Sequence, residues 1–377
     1  MADPASETAT ECESQLDSTA SSPPAPNAEA VGDVASSTTP PAVTSTASNS
    51  PEPSQRTDPS TAGDSSDRTV AEPFGANLEP VLREACDHRL SRISWFRTDW
   101  QRGGALTGTA TYQTDAGRSQ PVVVKLPVPP RERAWLTELQ GELDVVPVVY
   151  AHGETVGGYD LAWVVMEHLP HGPLGPQWNG GEFDLLLEAT GRFYEATEAA
   201  APPDGASPID RDWGRLLELA KQQVANGAVT NGKAWKAALK KADRKLEGWL
   251  ERWQARPIAQ WCHGDLHLAN AMTRTPPPDG PALLLDLAQV RPGHWVEDAV
   301  YFEHLYWGCP DRVDGRKLCK QLARVRRNRG LALDDDWAEF AQLKRALLAM
   351  AAPARLNVEG SQRHLDAALA VLQRHVK

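Results

Sequence analysis

The sequence predicts an α+β protein in which an acidic tail precedes a small β-rich lobe and a larger, mostly helical lobe. Three observations support this fold class. Residues 1–75 are rich in Ser, Thr, Ala and Pro, residues 76–168 contain several segments with strand-like composition, and residues 169–377 mostly show helical apolar periodicity. With 377 residues, the chain is long enough for two compact lobes in addition to the tail.

The first segment, residues 1–75, has almost no large apolar side chain before Phe74. Such a composition cannot bury enough apolar surface to offset the loss of conformational entropy, so we predict a disordered tail. The tail has twelve acidic residues against Arg56 and Arg68, and it therefore contains most of the net charge of −11. The remaining chain is close to neutral, which argues against a nucleic-acid-binding surface.

Signals for export or membrane insertion are not evident in the sequence. The N-terminus lacks a basic start followed by an apolar core, and no window approaches the roughly 18 apolar residues of a membrane span. The five cysteines are scattered and lack the short paired spacing of a zinc site. We therefore predict a cytoplasmic protein without a membrane partner, and the sequence leaves its oligomeric state open.

The small lobe is predicted over residues 76–168 and begins with an amphipathic helix over 77–90. Five strands are predicted over residues 93–100, 106–112, 121–126, 145–151 and 161–167. Gly103 and Gly104 separate the first two strands, as in an antiparallel hairpin. A short helix over 131–140 completes an arrangement of five strands around one helix.

The larger lobe is predicted to begin at residue 169, within a segment from His168 to Pro176 whose Pro and Gly residues break all periodicity. This composition is typical of an extended hinge between two compact units. Helices are predicted beyond it over residues 183–197, 233–254, 296–307 and 315–329, with two more near the C-terminus. The stretch 258–289 is the exception, because it contains short strand-like segments.

The strongest chemical signal lies in that exceptional stretch. The loop His263-Gly-Asp-Leu-His-Leu-Ala-Asn270 places a carboxylate and an amide five positions apart, and Asp286 ends the apolar segment Leu283-Leu-Leu. In phosphoryl transfer an aspartate can orient the acceptor hydroxyl, while amide and carboxylate oxygens bind Mg²⁺. We therefore predict Asp265, Asn270 and Asp286 as catalytic residues, with Asn270 and Asp286 as the metal ligands.

A second signal is Lys125, which ends the apolar strand formed by Val122, Val123 and Val124. A lysine on a buried strand indicates that its ammonium meets a phosphate or a carboxylate, although it could also extend from the strand end into solvent. Glu132 and Glu138 on the next helix are the alternative partners. We predict nucleotide binding by Lys125 and Glu132, together with Glu167, Gly103 and Gly104.

On these motifs the sequence resembles the aminoglycoside-phosphotransferase and choline-kinase superfamily over roughly residues 78–377. The resemblance implies a protein-kinase-like fold with ATP between the lobes and Lys125 on its α- and β-phosphates. It further implies that Asp265 orients a hydroxyl, that Asn270 and Asp286 bind Mg²⁺, and that His263 and Asp298 support the catalytic loop. The sequence departs from the family pattern after Asp286, where Leu287 and Ala288 stand in place of a common second acid, and at His294 in place of the usual aspartate.

We therefore expect an ATP- and Mg²⁺-dependent kinase that phosphorylates a hydroxyl of a small molecule: an amino sugar, another sugar, an amino alcohol or an aminoglycoside. One alternative is a catalytically silent kinase-like binding module, although retention of Lys125, Asp265, Asn270 and Asp286 argues against it. A protein kinase is a less favoured alternative. Only eleven residues separate Asp286 from Asp298, which leaves little room for an activation segment.

Overall fold

The structure is a computed structural model that describes residues 68–96, 105–141, 143–175, 180–200, 202, 210–355 and 361–377, with side chains from residue 77 onward. Most of the predicted tail, residues 1–67, lies outside the described residues, as do Gly103 and Gly104. Among the helices in the described ranges, none combines the length and apolar character needed to cross a membrane.

The small lobe is a five-stranded antiparallel sheet with strand order β1-β2-β3-β5-β4. The strands are β1 (Leu90–Phe96), β2 (Leu106–Gln113), β3 (Ser119–Leu126), β4 (Val149–Gly153) and β5 (Trp163–Glu167). The five predicted strands are thus present in one sheet, and β3 lies at its centre. Val122 and Val124 are fully buried on one face of β3, so Lys125 points to the opposite face, toward the larger lobe.

The first helix, α1 (Arg68–Ala85), packs Leu78 and Leu82 against the sheet. It begins at Arg68, so it overlaps the end of the segment predicted as tail.

The predicted strand over 145–151 is wrong at its start, because β4 begins only at Val149. Pro147 has no N–H to donate to a sheet ladder. Val145 instead accepts a hydrogen bond from Leu284 in the larger lobe at 2.8 Å, and Val145 and Val146 are buried in that lobe's core. An apolar pair that looks like a strand thus joins the two lobes.

Helix α2 (Pro130–Glu138) lies between the lobes. Pro130 occupies its first turn, where a missing N–H costs nothing. Leu136 is buried in the core of the larger lobe, and the Trp135 ring meets the edge of Trp261 with centroids 4.9 Å apart. The helix predicted within the small lobe therefore packs against the larger one.

The larger lobe is mostly helical, as predicted. Its helices are α3 (Glu182–Glu198), α4 (Trp213–Ala225), α5 (Gly232–Gln254), α6 (Val296–Leu305), α7 (Pro310–Val313), α8 (Leu318–Asn328), α9 (Trp337–Ala351) and α10 (Gln362–His375). The predicted strand-like exception is confirmed as two short antiparallel pairs. They are β6 (Gln260–Cys262) with β9 (Arg291–Gly293), and β7 (Ala271–Thr273) with β8 (Ala282–Leu284). These pairs support the loops that contain the predicted catalytic residues.

Candidate active site

The catalytic loop leaves β6 at His263, whose ring is fully buried. Its Nδ1 accepts the backbone N–H of Asp265 at 3.3 Å, and its Nε2 donates to the carbonyl of Leu285 at 3.0 Å. This pattern requires the neutral ring protonated on Nε2, and burial lowers the pKa of His263 in agreement with it. His263 thus connects the catalytic loop to the segment that leads to Asp286.

Asp298, on α6, holds the start of the same loop. Its carboxylate accepts the backbone N–H groups of His263 at 2.8 Å and Gly264 at 2.9 Å, and the hydroxyl of Tyr194 at 2.9 Å. Gly264 has a φ of 84°, and a Cβ here would collide with the Gln289 carbonyl. These hydrogen bonds fix the start of the loop, and a role of Asp298 in catalysis stays a prediction.

Asp265 has several polar neighbours around its carboxylate. Tyr301 on α6 donates to Oδ1 at 2.6 Å, Asn270 Nδ2 lies 3.4 Å from Oδ2, and His267 Nε2 lies 3.7 Å from Oδ2, beyond ordinary hydrogen-bond length. Burial raises the pKa of Asp265, but the neighbouring His267 ring and the Tyr301 hydroxyl outweigh it and lower the pKa to about 2. The carboxylate is therefore ionised throughout the neutral range.

Sequence reasoning missed Tyr301. The available signal was its spacing, because Tyr301 follows Asp298 by three positions on one helix and so lies on the same helical face. Since Asp298 holds the loop that contains Asp265, a residue on the same helical face lies near Asp265.

Asn270 and Asp286 are brought together by the β7–β8 pair. The backbone N–H of Leu285 donates to the Asn270 carbonyl at 2.9 Å, which places Asp286 at the next position along the chain. The Asn270 amide nitrogen donates to the Asp265 carbonyl at 2.9 Å, so the amide oxygen is turned away from it. Asp286 has a left-handed backbone, with φ 55° and ψ 61°, of the kind that clusters at functional sites.

A preformed metal cluster of three or more His, Cys, Asp or Glu side chains is not found within the described ranges. The Asp286 carboxylate makes no hydrogen bond to any described residue, and the backbone hydrogen bond from Leu285 to Asn270 holds the two segments side by side. A hard cation prefers such oxygen ligands, and Mg²⁺ in particular is held by few protein ligands together with phosphate oxygens. The donor set therefore fits Mg²⁺ accompanied by a nucleotide.

Lys125 on β3 pairs with Glu132 on α2, with Nζ and Oε1 2.7 Å apart. This answers the question left open by the sequence, since Glu138 is not the partner. Burial lowers the pKa of Lys125, but the charges of Glu132 and nearby Asp286 outweigh it and raise the pKa above its ordinary value. The ammonium therefore stays charged on the side of the sheet that faces Asp286.

Glu167, at the end of β5, has its carboxylate occupied by other groups. Arg274 donates to Oε1 at 2.7 Å and to Oε2 at 2.9 Å, and the backbone N–H of Val148 donates to Oε2 at 3.2 Å. Arg274 also contacts Asp144 at 2.8 Å. These contacts join the two lobes, and an interaction of Glu167 with a nucleotide stays a prediction.

Residues 102–343 match the phosphotransferase enzyme family. The chain belongs to this family. The resemblance to the aminoglycoside-phosphotransferase and choline-kinase superfamily is thereby confirmed, and so is the prediction of a small-molecule kinase. None of the curated proteins matches the chain.

Solved structures with the same architecture include the microcompartment-associated aminopropanol kinase. It is 17% identical in sequence to this chain, with a TM-score of 0.51, and the match covers 79% of this chain and 95% of the other. A thermostable mutant of the aminoglycoside phosphotransferase APH(4)-Ia, in a ternary complex with ADP and hygromycin B, is 13% identical with a TM-score of 0.47. That match covers 82% of this chain and 98% of the other. At such identities the aminopropanol kinase supports the kinase-like fold, not a substrate.

Proposed function

We propose that this phosphotransferase transfers the γ-phosphoryl group of ATP, in the presence of Mg²⁺, to a hydroxyl of a small molecule. The acceptor classes considered are amino sugars, other sugars, amino alcohols and aminoglycosides. The observation that carries the proposal is the convergence of an ionised Asp265, the oxygen donors of Asn270 and Asp286, and the Lys125–Glu132 ion pair. These groups come from four separate segments of the chain.

The nucleotide is proposed to bind between the lobes, with Lys125 contacting its phosphates. Glu132 fixes the direction of the ammonium through the ion pair, and a phosphate in reach of Lys125 would gain a charge-assisted hydrogen bond. Asn270 and Asp286 would hold Mg²⁺, which when bound supplies positive charge that neutralises the phosphates. Gly103 and Gly104, predicted to contact the nucleotide, remain part of the proposal.

Asp265 is proposed to accept a hydrogen bond from the acceptor hydroxyl and to align its oxygen with the γ-phosphorus. The acceptor oxygen forms a bond to phosphorus while the bond to the bridging oxygen of ADP breaks, and the hydroxyl proton passes to Asp265 or onward to solvent. A carboxylate with a pKa of about 2 is a weak base, so its main contribution is orientation of the hydroxyl.

The experiment that tests this proposal is Mg²⁺-dependent ADP release, with ³¹P detection of products, across a panel of the four acceptor classes. Asp265→Asn is expected to lower turnover by roughly a hundredfold or more while nucleotide binding is largely retained. Asp311→Asn, at an exposed position on α7, is the matched control and should behave like the wild-type protein.

Three other outcomes would contradict the proposal. Unchanged turnover in Asp265→Asn would remove Asp265 from the catalytic role. Nucleotide binding without turnover on any acceptor would favour the silent binding module. Phosphate transfer to proteins but not to small molecules would favour the protein kinase.

A further inference from the structure

A small cavity lies beside the catalytic loop on the side of the larger lobe. Gly264 and Tyr301 form part of its lining, and Tyr301 is the residue that donates to Asp265. The cavity volume is about 30 Å³. One water needs roughly 10–15 Å³ by the same kind of measure, so the cavity has room for about two oxygen-sized atoms.

Charged side chains dominate the remaining lining, with the cations Arg211, Arg291 and Lys344 against the anions Asp210 and Glu297. Among the side chains that line the cavity itself, three cations thus stand against two carboxylates. A cationic group of an acceptor would be repelled there, whereas an anionic group would be attracted.

Both carboxylates in the lining already have other partners. Glu297 accepts from Arg256 Nε at 3.0 Å and from the backbone N–H of His294 at 3.1 Å. Asp210 accepts from the indole N–H groups of Trp213 and Trp253, each at 2.9 Å. Neither carboxylate makes a hydrogen bond with the Lys344 ammonium, although the charge of Lys344 helps to lower the pKa of Glu297.

Lys344 lies on α9, where burial lowers the pKa of its ammonium to about 8 against the opposing charge of Glu297. Its residue surface is 6% exposed, and its ammonium makes no hydrogen bond or ion pair with any described residue. The contacts recorded for it are with the rings of Trp213 and Trp253, whose centroids lie 5.2 and 5.0 Å from Nζ. A buried ammonium that lines a cavity with unused N–H donors is a strong anion-binding group.

We propose that the cavity at Lys344 binds a carboxylate of the acceptor, so that the substrate of this kinase is a hydroxy acid. This inference rests on the proposed function, because it assigns the acceptor whose hydroxyl Asp265 would orient. The two oxygens of a carboxylate match the cavity volume, and Lys344 supplies the opposite charge. Because Tyr301 contacts Asp265 and lines the cavity, the carboxylate and the reacting hydroxyl would lie on the same short molecule.

The test compares acceptors that differ only in charge: short hydroxy acids with their amides, and sugar acids with their parent sugars. The wild-type protein is expected to favour the acid over the neutral partner by at least about tenfold in kcat/KM, mainly through KM. Lys344→Met keeps the length and apolar contacts of the side chain and should abolish this preference, and Lys344→Arg should restore part of it. Lys221→Met, at a half-exposed ion pair on α4, is the control.

A second measurement does not depend on turnover. In the wild-type protein, acetate is expected to inhibit competitively against the acceptor and to raise Tm relative to the same concentration of chloride. Asp265→Asn should keep the rise in Tm. Lys344→Met should show neither effect. Turnover without preference for the acid, or an unchanged preference in Lys344→Met, would overturn the inference while the kinase function stands. Absence of turnover on every acceptor would instead contradict the kinase function, and the acetate shift would then decide the carboxylate site by itself.

Discussion

At the scale of single residues, the two oxygens of Asp265 have different surroundings. Oδ1 accepts the Tyr301 hydroxyl at 2.6 Å, and Oδ2, which lies 3.4 Å from the Asn270 amide nitrogen, is the oxygen proposed to accept the acceptor hydroxyl. Tyr301→Phe removes a hydrogen bond to a charged group, and the carboxylate then loses its fixed rotamer. We expect kcat to fall about tenfold with the KM for nucleotide unchanged, since such bonds contribute about 1.5–3 kcal/mol.

Tyr306→Phe is the matched control for this prediction. Tyr306 directly follows the last residue of α6. Its hydroxyl is buried and has no hydrogen-bond partner in the described part of the chain. Removing it should leave kcat unchanged. If Tyr301→Phe raised the nucleotide KM without lowering kcat, Tyr301 would not be a positioning residue for Asp265.

Glu297 gives a prediction about stability and pH. Burial raises the pKa of Glu297, but Lys344, Arg256 and Arg291 outweigh it and lower the pKa from 4.5 to about 2. Because the pKa of Glu297 is lower in the folded than in the unfolded protein, its ionised carboxylate stabilises the fold at pH values above the unfolded-state pKa. This contribution is lost as the pH falls from 4.5 toward about 2. The free energy of unfolding in urea should therefore decrease by a few kcal/mol over this window, and by less in Glu297→Gln.

The comparison for Glu297 is Glu188→Gln, at a half-exposed ion pair with Arg329. Exposed pairs contribute about 0–1 kcal/mol, so this variant should keep the wild-type pH dependence. An equal pH slope in the wild-type protein and Glu297→Gln would mean that Glu297 does not titrate in this window.

At the scale of elements, α6 determines the shape of the catalytic loop. Its Asp298 accepts three hydrogen bonds, and an Asn there would present an N–H₂ group to donors. Asp298→Asn is expected to lower the free energy of unfolding by about 1–3 kcal/mol and to reduce kcat, because the loop loses its fixed path. Chemical denaturation and steady-state kinetics on the same preparation would measure both effects.

Tyr194→Phe separates the two consequences. It removes one bond to Asp298 while leaving the bonds to the His263 and Gly264 backbone in place. Stability should therefore decrease with little change in kcat. Full activity and full stability in Asp298→Asn would show that the loop does not depend on α6.

At the scale of the whole molecule, Arg274 connects the lobes. It makes a bidentate pair with Glu167 on β5 and a further contact with Asp144. Arg274→Met should raise the KM for nucleotide several-fold, because the nucleotide is proposed to bind between lobes whose relative position this residue restrains. The stability loss should be about 1 kcal/mol, since Arg274 is partly exposed.

Arg252→Met is the corresponding control within one lobe. Arg252 makes a similar two-bond contact with Glu339, and both residues lie in the larger lobe, on α5 and α9. Its loss should not change the KM for nucleotide. A rise in KM in both variants would indicate general destabilisation and not a change between the lobes.

The sequence by itself determined the order of a β-rich lobe and a helical lobe, because periods of two and of about 3.6 are local properties of the chain. It also predicted Asp265, Asn270 and Asp286 as catalytic residues, from their fixed spacing on a loop and at a strand end. It misplaced the start of the strand at Val145, where packing against the larger lobe overrides local preference.

Only the tertiary structure decided which residues complete the site. Glu132 and Glu138 lie on the same short helix, and the packing of α2 between the lobes directs Glu132 toward Lys125. Tyr301 reaches Asp265 because α6 crosses behind the catalytic loop, and Lys344 reaches the same region from α9. Such contacts join residues far apart in sequence, and their geometry depends on how whole elements pack, which no local pattern specifies.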